Sequence, residues 1–330
     1  MHAYAYQNNY RCVMKASSGG AFQRITEEII SSTKHYSIYG AAWTESLEVE
    51  HIRIDDVKKI EVIQGSKYIK SHFSNSLRLI KEDLNAGITV VFSGTPCQVA
   101  AVLKYAEKEK ISTELLYTIE IICHGTSETK VWKDSLKWTE HKFSSRIRKV
   151  DFRDKQIGWK HYPTSYYFEN GSSIHATYEA QLYIRLFMSS LVTTKGCFTC
   201  PYANTVRNAD ITIGDFWGIE DVMPDFPIGN GVSLVLANDL KGYEVVKSIE
   251  NSLQEDELIR RCVDDSFMKY QHNLNSATQK PTNYDEFWMD YNYRGFDFVI
   301  RKYKFYTLYW KLRFYARKVV DRLKRLRKNV

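Results

Sequence analysis

The chain has 330 residues, 44% hydrophobic and 26% charged, a globular balance with length for a sizeable core in one large domain or two smaller ones. No basic-then-apolar leader opens it, and no run reaches the roughly 18 apolar residues of a membrane span, so neither a secretory signal nor a transmembrane helix is expected. The net charge of +7 sits at one end: residues 301–330 hold 12 Lys/Arg and one Asp, against 34 Lys/Arg and 38 Asp/Glu in the rest. The body is therefore slightly acidic, which argues against a nucleic-acid channel and leaves no nucleic-acid partner expected. A cytoplasmic chain is expected, and six cysteines there read as thiols or ligands before disulfides.

In chain order, Ser17-Ser18-Gly19-Gly20 precedes a helical pattern over Ala21–Ser31 with Phe22, Ile25, Ile29 and Ile30 on one side. Serine is a good N-cap, and glycines let backbone N–H groups approach an anion at the positive helix end; a plain capped helix explains the same residues. No dinucleotide fingerprint or P-loop occurs. Tyr36–Trp43 and Leu47–Ile54 read as a strand pair, and Phe73–Leu84 as a helix ended by Asn85-Ala86-Gly87.

An arrangement then repeats. Ile88–Phe92 reads as a buried strand, followed by Ser93-Gly94-Thr95-Pro96-Cys97-Gln98 and a helix over Val99–Glu109. Leu115–Ile122 reads as a second strand, followed by Cys123-His124-Gly125-Thr126-Ser127 and a helix over Glu128–His141. Strand–loop–helix twice over predicts a partly parallel α/β sheet, with both loops at its carboxyl edge, where open α/β sheets bind ligands. Cys97 and Cys123 would then face one site; two independent buried thiols are the plainer reading.

Lys149–Arg153 reads as a strand. Ser165–Glu169 and Ser173–Thr177 form a hairpin whose Asn170-Gly171 signals a type I′ turn, and Tyr178–Leu191 is a helical stretch. Cys197 and Cys200 follow as C-x-x-C, a spacing shared by zinc sites, redox dithiols and iron–sulfur sites. Ala209–Gly214 and Gly231–Ala237 read as strands, Tyr243–Leu253 as a helix and Leu274–Lys280 as a loop. The fold class expected is mixed α/β (α+β): a partly parallel sheet of strand–Cys loop–helix units, antiparallel hairpins and a C-terminal helical tail, divided at 1–290 and 291–330.

SSGGAF, GSKYIKS, FSGTPCQVAAVLKY, IICHGTSETKVW, VDFRDKQIGW, CFTCPYANTVRNADITIGDFWG and GVSLVLAN, in this order, resemble the coenzyme F-420 hydrogenase/dehydrogenase beta-subunit family over roughly Tyr4 to Glu250. The resemblance implies an FAD-dependent oxidoreductase with one 4Fe-4S cluster beside the flavin, acting on a small organic acceptor. Bacterial relatives of this length resemble components of surface-polysaccharide pathways. No ferredoxin-like run of cysteines accompanies the motifs, so a separate ferredoxin or flavodoxin is the expected electron donor. A sugar-modifying transferase or a non-catalytic pathway component on a degenerate version of the fold is the alternative. Its acidic pairs would be Asp55-Asp56 or Asp264-Asp265, neither in a strand-end loop.

Carried onto this chain, the resemblance makes Cys97, Cys123, Cys197 and Cys200 the four thiolates of a cubane, a set that would also suit zinc. Ser17, Ser18, Gly19 and Gly20 would cradle the FAD pyrophosphate, with Ser66, Lys67 and Ser71 next and Thr95 and Pro96 between flavin and cluster. Lys67 reads equally as a surface lysine. His124, Lys155 and Asp154 are candidate proton donors near the flavin; His124 could instead orient the cluster, and Asp215 could be a turn residue.

The tail is unexplained by the resemblance. Thr307–Lys328 suits one amphipathic helix with Leu308, Leu312, Tyr315, Val319, Leu323 and Leu326 as its apolar stripe and basic residues on the flanks. It could lie on an anionic membrane surface, making the protein peripheral at the inner membrane face, or pack its stripe on the body.

Overall fold

The structure, a computed structural model, describes residues 1–156, 158–160 and 162–328, with side chains to residue 320. The first half runs β1 (His2–Gln7), α1 (Tyr10–Lys15), α2 (Ala21–Ile30), β2 (Tyr36–Trp43), β3 (Val49–Ile54), α3 (Ser74–Asn85), β4 (Thr89–Gly94), α4 (Pro96–Lys108), β5 (Leu116–Ile121) and α5 (Thr129–Phe143). The second runs β6 (Ile147–Phe152), β7 (Thr164–Phe168), β8 (Ser173–His175), α6 (Leu182–Met188), β9 (Ile211–Asp215), α7 (Ile219–Val222), β10 (Ser233–Ala237), α8 (Leu240–Asn251), β11 (Leu258–Arg261), α9 (His272–Asn275), α10 (Tyr284–Lys302) and α11 (Leu308–Lys328).

One sheet has the order β11-β1-β10-β9-β5-β4-β2-β3. Its middle, β2, β4, β5 and β9, is parallel, while β3 and the β10, β1, β11 side pair antiparallel. The alternating strand period divides each strand between two cores. Val91, Ile119, Ile213 and Val235 pack beneath α2 and α8 with Ile25, Ile29, Val246 and Ile249. Val90, Phe92 and Leu116 face the other way, onto Ile80, Leu84, Val99 and Val102 of α3 and α4. Each such aliphatic side chain taken from water stabilises the fold by about 1.5–3 kcal/mol, so this sandwich fixes the strand ends above it.

A small sheet, β6-β7-β8, packs Phe152, Tyr166 and Phe168 against Trp132 of α5 and Tyr183 of α6. Helix α10 is kinked at Gly295 and buries Phe287, Tyr291, Val299 and Ile300 against Val131, Leu182 and Leu186. The boundary expected at 290/291 therefore falls inside a helix that belongs to the body.

Three local expectations are corrected. Ser17 and Ser18 do not cap α2: its N-cap is Gly20, at φ 84°, with no side-chain cap. At the β7–β8 turn Gly171 has positive φ but Asn170 does not, so the turn is not type I′; Asn170 Oδ1 instead accepts from the Ser172 N–H and hydroxyl, at 3.0 and 2.7 Å. The helix expected over Tyr178–Leu191 is reduced to α6, because Thr177–Gln181 turns first.

Candidate functional site

Parallel strands end on one edge, so β4, β5 and β9 deliver Thr95, Cys123 and Trp217 to the same place. Strand β4 runs on through Gly94 and α4 begins at Pro96, so Cys97 lies in a helical first turn instead of a loop, with its side chain exposed. Strand β10 is antiparallel and opens at this edge; β1 is antiparallel to β10 and closes there. Ser17–Gly20 and Gly231–Ser233 therefore join the same edge.

The C-x-x-C segment is brought in from outside the sheet. The Thr194 N–H donates to Thr126 O at 2.9 Å, and Thr193 bridges to Ser127. Tyr284 Oη donates to Thr193 O at 2.8 Å. Beyond Cys200, Arg207 holds the Tyr202 and Asn204 carbonyls and makes a buried ion pair with Glu120 of β5. Gly125, at φ 113°, lets the two cysteine loops meet: a Cβ there would stand 3.4 Å from Cys197 Cβ and 3.8 Å from its sulfur.

All six cysteines are free thiols. Burial pushes the Cys123 thiol up to about 12, against the Gly125 N–H that points at its sulfur; Cys97, Cys197 and Cys200 press in the same direction as burial. The four predicted ligands thus share one electrostatic neighbourhood. Cys262 is also pushed up to about 12, by burial and then by Asp264 and Asp265, and packs under β10 with Trp159 and Phe216. Cys12 lies in α1, its thiol raised by burial and then Glu27.

Among the described residues, no three His, Cys, Asp or Glu side chains gather closely enough to hold a single metal ion. Zn–S bonds of about 2.3 Å would need such a gathering. A cubane takes one thiolate on each of four irons, so its ligands stand further apart than those around one ion.

The SSGG turn is a joint. Ser17 Oγ accepts from the Ser66 N–H at 2.7 Å and its hydroxyl at 2.9 Å, and Ser18 Oγ donates to Val232 O at 2.8 Å. The Gly19 N–H donates to Ser233 Oγ at 2.9 Å, while Gly19 O accepts from the Asn8 N–H at 2.8 Å. A Cβ on Gly19 would stand 2.3 Å from Tyr6 O and 2.5 Å from Ser233 N, so strand packing alone demands glycine. Most polar atoms of the expected phosphate cradle are thus engaged with the protein. Helix α2 has no side-chain cap at Gly20; its first-turn Gln23 Oε1 accepts from Gln64 Nε2 at 3.2 Å, and Gln64 O accepts from Lys67 Nζ at 2.8 Å. Burial brings the Lys67 pKa down to about 7, opposed by Asp151.

The segment from Ser66 to Ser71 links this joint to the cysteines. Ser66 holds Ser17, Ile69 bridges to Ser127, and Ser71 Oγ accepts from Gln98 Nε2 at 2.8 Å. Ser71 Oγ also meets His51 Nδ1 at 3.0 Å, and His51 Nε2 meets Ser93 O at 2.9 Å. Burial lowers His51 to about 4, so it stays neutral; Nε2 then donates to the carbonyl and the Ser71 hydroxyl donates to Nδ1. Gln98 Oε1 accepts from the Thr95 N–H and hydroxyl, both at 3.0 Å, and Thr95 Oγ1 stands 3.2 Å from Cys97 Sγ. A buried polar chain from β3 thereby orients the turn that carries Cys97. Pro96 is buried at the first position of α4.

The proposed proton donors separate. His124 is half-buried, its ring 5.6 Å from Phe187, its Nε2 without a partner among the described residues, its pKa lowered by burial against a hydrogen bond with Asn273. Lys155 is a buried strut: Nζ donates to Val13 O at 2.6 Å and to Ser18 O, and burial lowers it to about 7. Asp154 follows β6 and is tied to β7 and β8, accepting from Ser165 Oγ at 2.5 Å and the Gln156 N–H at 3.1 Å, with His175 at 3.5 Å.

Arg153 is the hub that sequence reading passed over. Its guanidinium makes two 2.9 Å bonds to Asp215 and one of 3.2 Å to Ser17 O, and lies over the Tyr162 ring at 4.5 Å. Burial works against its charge, but Asp215 and Tyr68 together outweigh that and hold its pKa above the usual range. Trp159 Nε1 donates to the same carboxylate at 2.7 Å, and Trp159 stacks on Trp217 at 5.5 Å. Asp215 is therefore more than a turn residue. The motif carried the signal, an Arg one residue after a strand and an Asp closing another, but nothing local pairs them. The acidic pairs of the alternative reading do follow strands, β3 and β11, contrary to expectation, but they serve structure: Asp55 pairs with Arg53, Asp56 caps the Lys58 N–H, and Asp264 caps the Ser266 N–H.

The sequence profile of the C-terminal region of the coenzyme F420 hydrogenase/dehydrogenase beta subunit matches residues 87–259. The chain belongs to this family. No curated protein matches it. Among solved structures, a chain in the xenon-derivatized F420-reducing NiFe hydrogenase complex of Methanosarcina barkeri superposes with a TM-score of 0.55 at 14% identity, over 83% of this chain and 88% of that one. The mixed sheet and its helices thus share the fold of a chain in that complex.

Proposed function

We propose that the protein is a flavin- and iron–sulfur-dependent oxidoreductase that moves electrons between a separate ferredoxin- or flavodoxin-type donor and a small organic acceptor. The convergence of four free cysteines at strand ends and one cross-linked loop carries this reading, and family membership supports it. When bound, FAD supplies hydride and single-electron chemistry and a 4Fe-4S cluster supplies single-electron transfer.

The chain's own residues have separable tasks. Cys97, Cys123, Cys197 and Cys200 hold the cluster as thiolates, which requires their protons to leave on loading. Gly20 with the first amides of α2, together with Lys67, attracts the flavin pyrophosphate; Ser17, Ser18 and Gly19 keep that corner rigid. Ser66, Ser71, Thr95 and Pro96 line the path between phosphate corner and cysteines. The Arg153–Asp215 pair and the Trp159–Trp217 stack form a fixed wall, and His124 offers an unengaged ring nitrogen beside Cys123. Anaerobic purification tests the reading: a flavin-type spectrum, with iron and sulfide near four per chain, is expected. No flavin after incubation with excess FAD, or stoichiometric zinc without iron after reconstitution, would refute it.

A further inference from the structure

The basic C-terminal helix is not absorbed by the redox site. Its contacts with the body run along one line: Lys311 Nζ pairs with Glu179 Oε1 at 2.6 Å, Phe314 meets the Tyr178 ring at 5.5 Å, Tyr315 Oη accepts from the Tyr178 N–H at 3.4 Å, and Lys318 Nζ donates to Ala176 O at 2.6 Å. At 100° per residue, the apolar stripe lies about a quarter turn away from that line. It is open: Leu308 is 74% exposed, Leu312 63% and Val319 59%, and Tyr309 and Val320 widen the arc. A helix folded for packing on the body would turn this face inward. Here an exposed apolar arc is bordered by Arg313 and Arg317 on one side and by the tethered Lys311 and Lys318 on the other. The side chains of Leu323 and Leu326, expected to continue the stripe, lie outside the described residues.

A second basic surface borders the root of this helix. A groove of about 770 Å³ between α5 and the kink of α10 is lined by Lys137, His141, Lys142, Arg294 and Arg301. Its two carboxylates are engaged: Asp297 with Trp138 Nε1 at 3.1 Å and Arg301 at 3.8 Å, and Asp134 with the Tyr291 hydroxyl. Among the described residues, Lys137, Lys142 and Arg294 have no carboxylate partner within ion-pair distance. Tyr306 joins groove to helix: Lys142 lies over its ring at 5.5 Å, and its hydroxyl shares the Glu179 carboxylate with Lys311. Among the described residues, no helix is long and apolar enough to cross a membrane.

We propose that α11 and the groove at its root form a docking surface for an anionic lipid bilayer, the exposed arc entering the headgroup boundary and the groove facing the charged headgroups. An apolar face with basic flanks is the geometry of helices that lie in an interface, and unpaired cations in an adjoining groove add attraction that a neutral partner would not use. The redox reading is not needed for this inference.

The full-length protein is sedimented with phosphatidylcholine vesicles, with and without phosphatidylserine, at low and high salt. Binding is expected only with phosphatidylserine and is expected to weaken in salt. Leu312→Asp with Val319→Asp should abolish it, and Arg313→Gln with Arg317→Gln should weaken it about fivefold per charge removed. Lys137→Glu with Lys142→Glu should weaken it without touching α11. All six positions are exposed, and an unchanged circular dichroism spectrum verifies the fold. Equal binding to neutral vesicles, or binding unmoved by these variants, would overturn the proposal. So would a dimer in light scattering that Leu312→Asp dissolves, or a nucleic acid that binds α11 while anionic vesicles do not.

Discussion

Replacing Arg153 tests whether the wall of the site depends on one buried ion pair. The Arg153 side chain is 2% exposed and Asp215 16%, with two bonds of 2.9 Å between them. Arg153→Met would leave a mostly buried carboxylate whose remaining side-chain donor among the described residues is Trp159 Nε1. Removing one partner of a buried pair costs about 3–5 kcal/mol, chiefly through the charge left behind. The bond to Ser17 O and the packing over Tyr162 go with it, which places the expectation in the upper half of that range. Asp215→Asn should cost somewhat less, because an amide oxygen still accepts from Trp159. In the double variant neither charge is stranded, so its loss should fall short of the sum by about 2 kcal/mol or more, a coupling on the order expected for contacting charged groups. Urea unfolding followed by tryptophan fluorescence reads all four proteins at pH 7. Additivity within about 0.5 kcal/mol would show that the pair does not act as a clamp.

Cys97→Ala, Cys123→Ala, Cys197→Ala and Cys200→Ala should each lower iron content after anaerobic reconstitution, while Cys262→Ala should not; equal loss from Cys262→Ala would break the ligand assignment. Flavin affinity should fall as pH rises through about 7, because Lys67 loses its proton there in the free protein and the phosphate must then recruit one; Lys67→Gln should flatten that slope in a fluorescence titration. The same depressed pKa makes Lys67 stabilising relative to the unfolded chain at high pH, with stability lost as pH falls from about 10.5 towards 7. Gly19→Ala should destabilise by at least the ~1–3 kcal/mol of an overpacked site, since its Cβ would meet backbone atoms at 2.3 and 2.5 Å, and should do so with or without flavin present.

Much of the frame was legible because its signals are local. Val90, Val91 and Phe92 are apolar on both faces, as a central parallel strand requires, and each cysteine loop follows such a run. The β2–β3 pair and α3 stand within two residues of where periodicity put them. What escaped is non-local. Strand β1 lies between β10 and β11, partners more than 200 residues away, and β11 is four largely exposed residues with no apolar alternation to announce them. The serines before α2 resemble caps in sequence, yet their partners are Ser66 and Val232. Arg153 and Asp215 are 62 residues apart. For α11, spacing gives a stripe but not what covers it, and the covered face proved to be Lys311, Phe314, Tyr315 and Lys318.

These long-range ties decide how the site and the fold depend on each other. In a small metal-dependent domain the ligands are brought together by the ion, and removing it unfolds the chain. Here Cys123 follows a strand hydrogen-bonded between β4 and β9, Cys97 is fixed through Thr95, Gln98, Ser71 and His51, and the Cys197–Cys200 loop is held by Thr126, Tyr284 and the Arg207–Glu120 pair. None of those contacts uses a cysteine sulfur as its essential partner. The thiols are therefore carried to the edge by a framework that stands without them, and burial, with a smaller push from the other three cysteines, raises the Cys123 pKa. At pH 7 that thiol is neutral in the folded and the unfolded chain alike, so the arrangement costs the fold nothing until the sulfur is ionised.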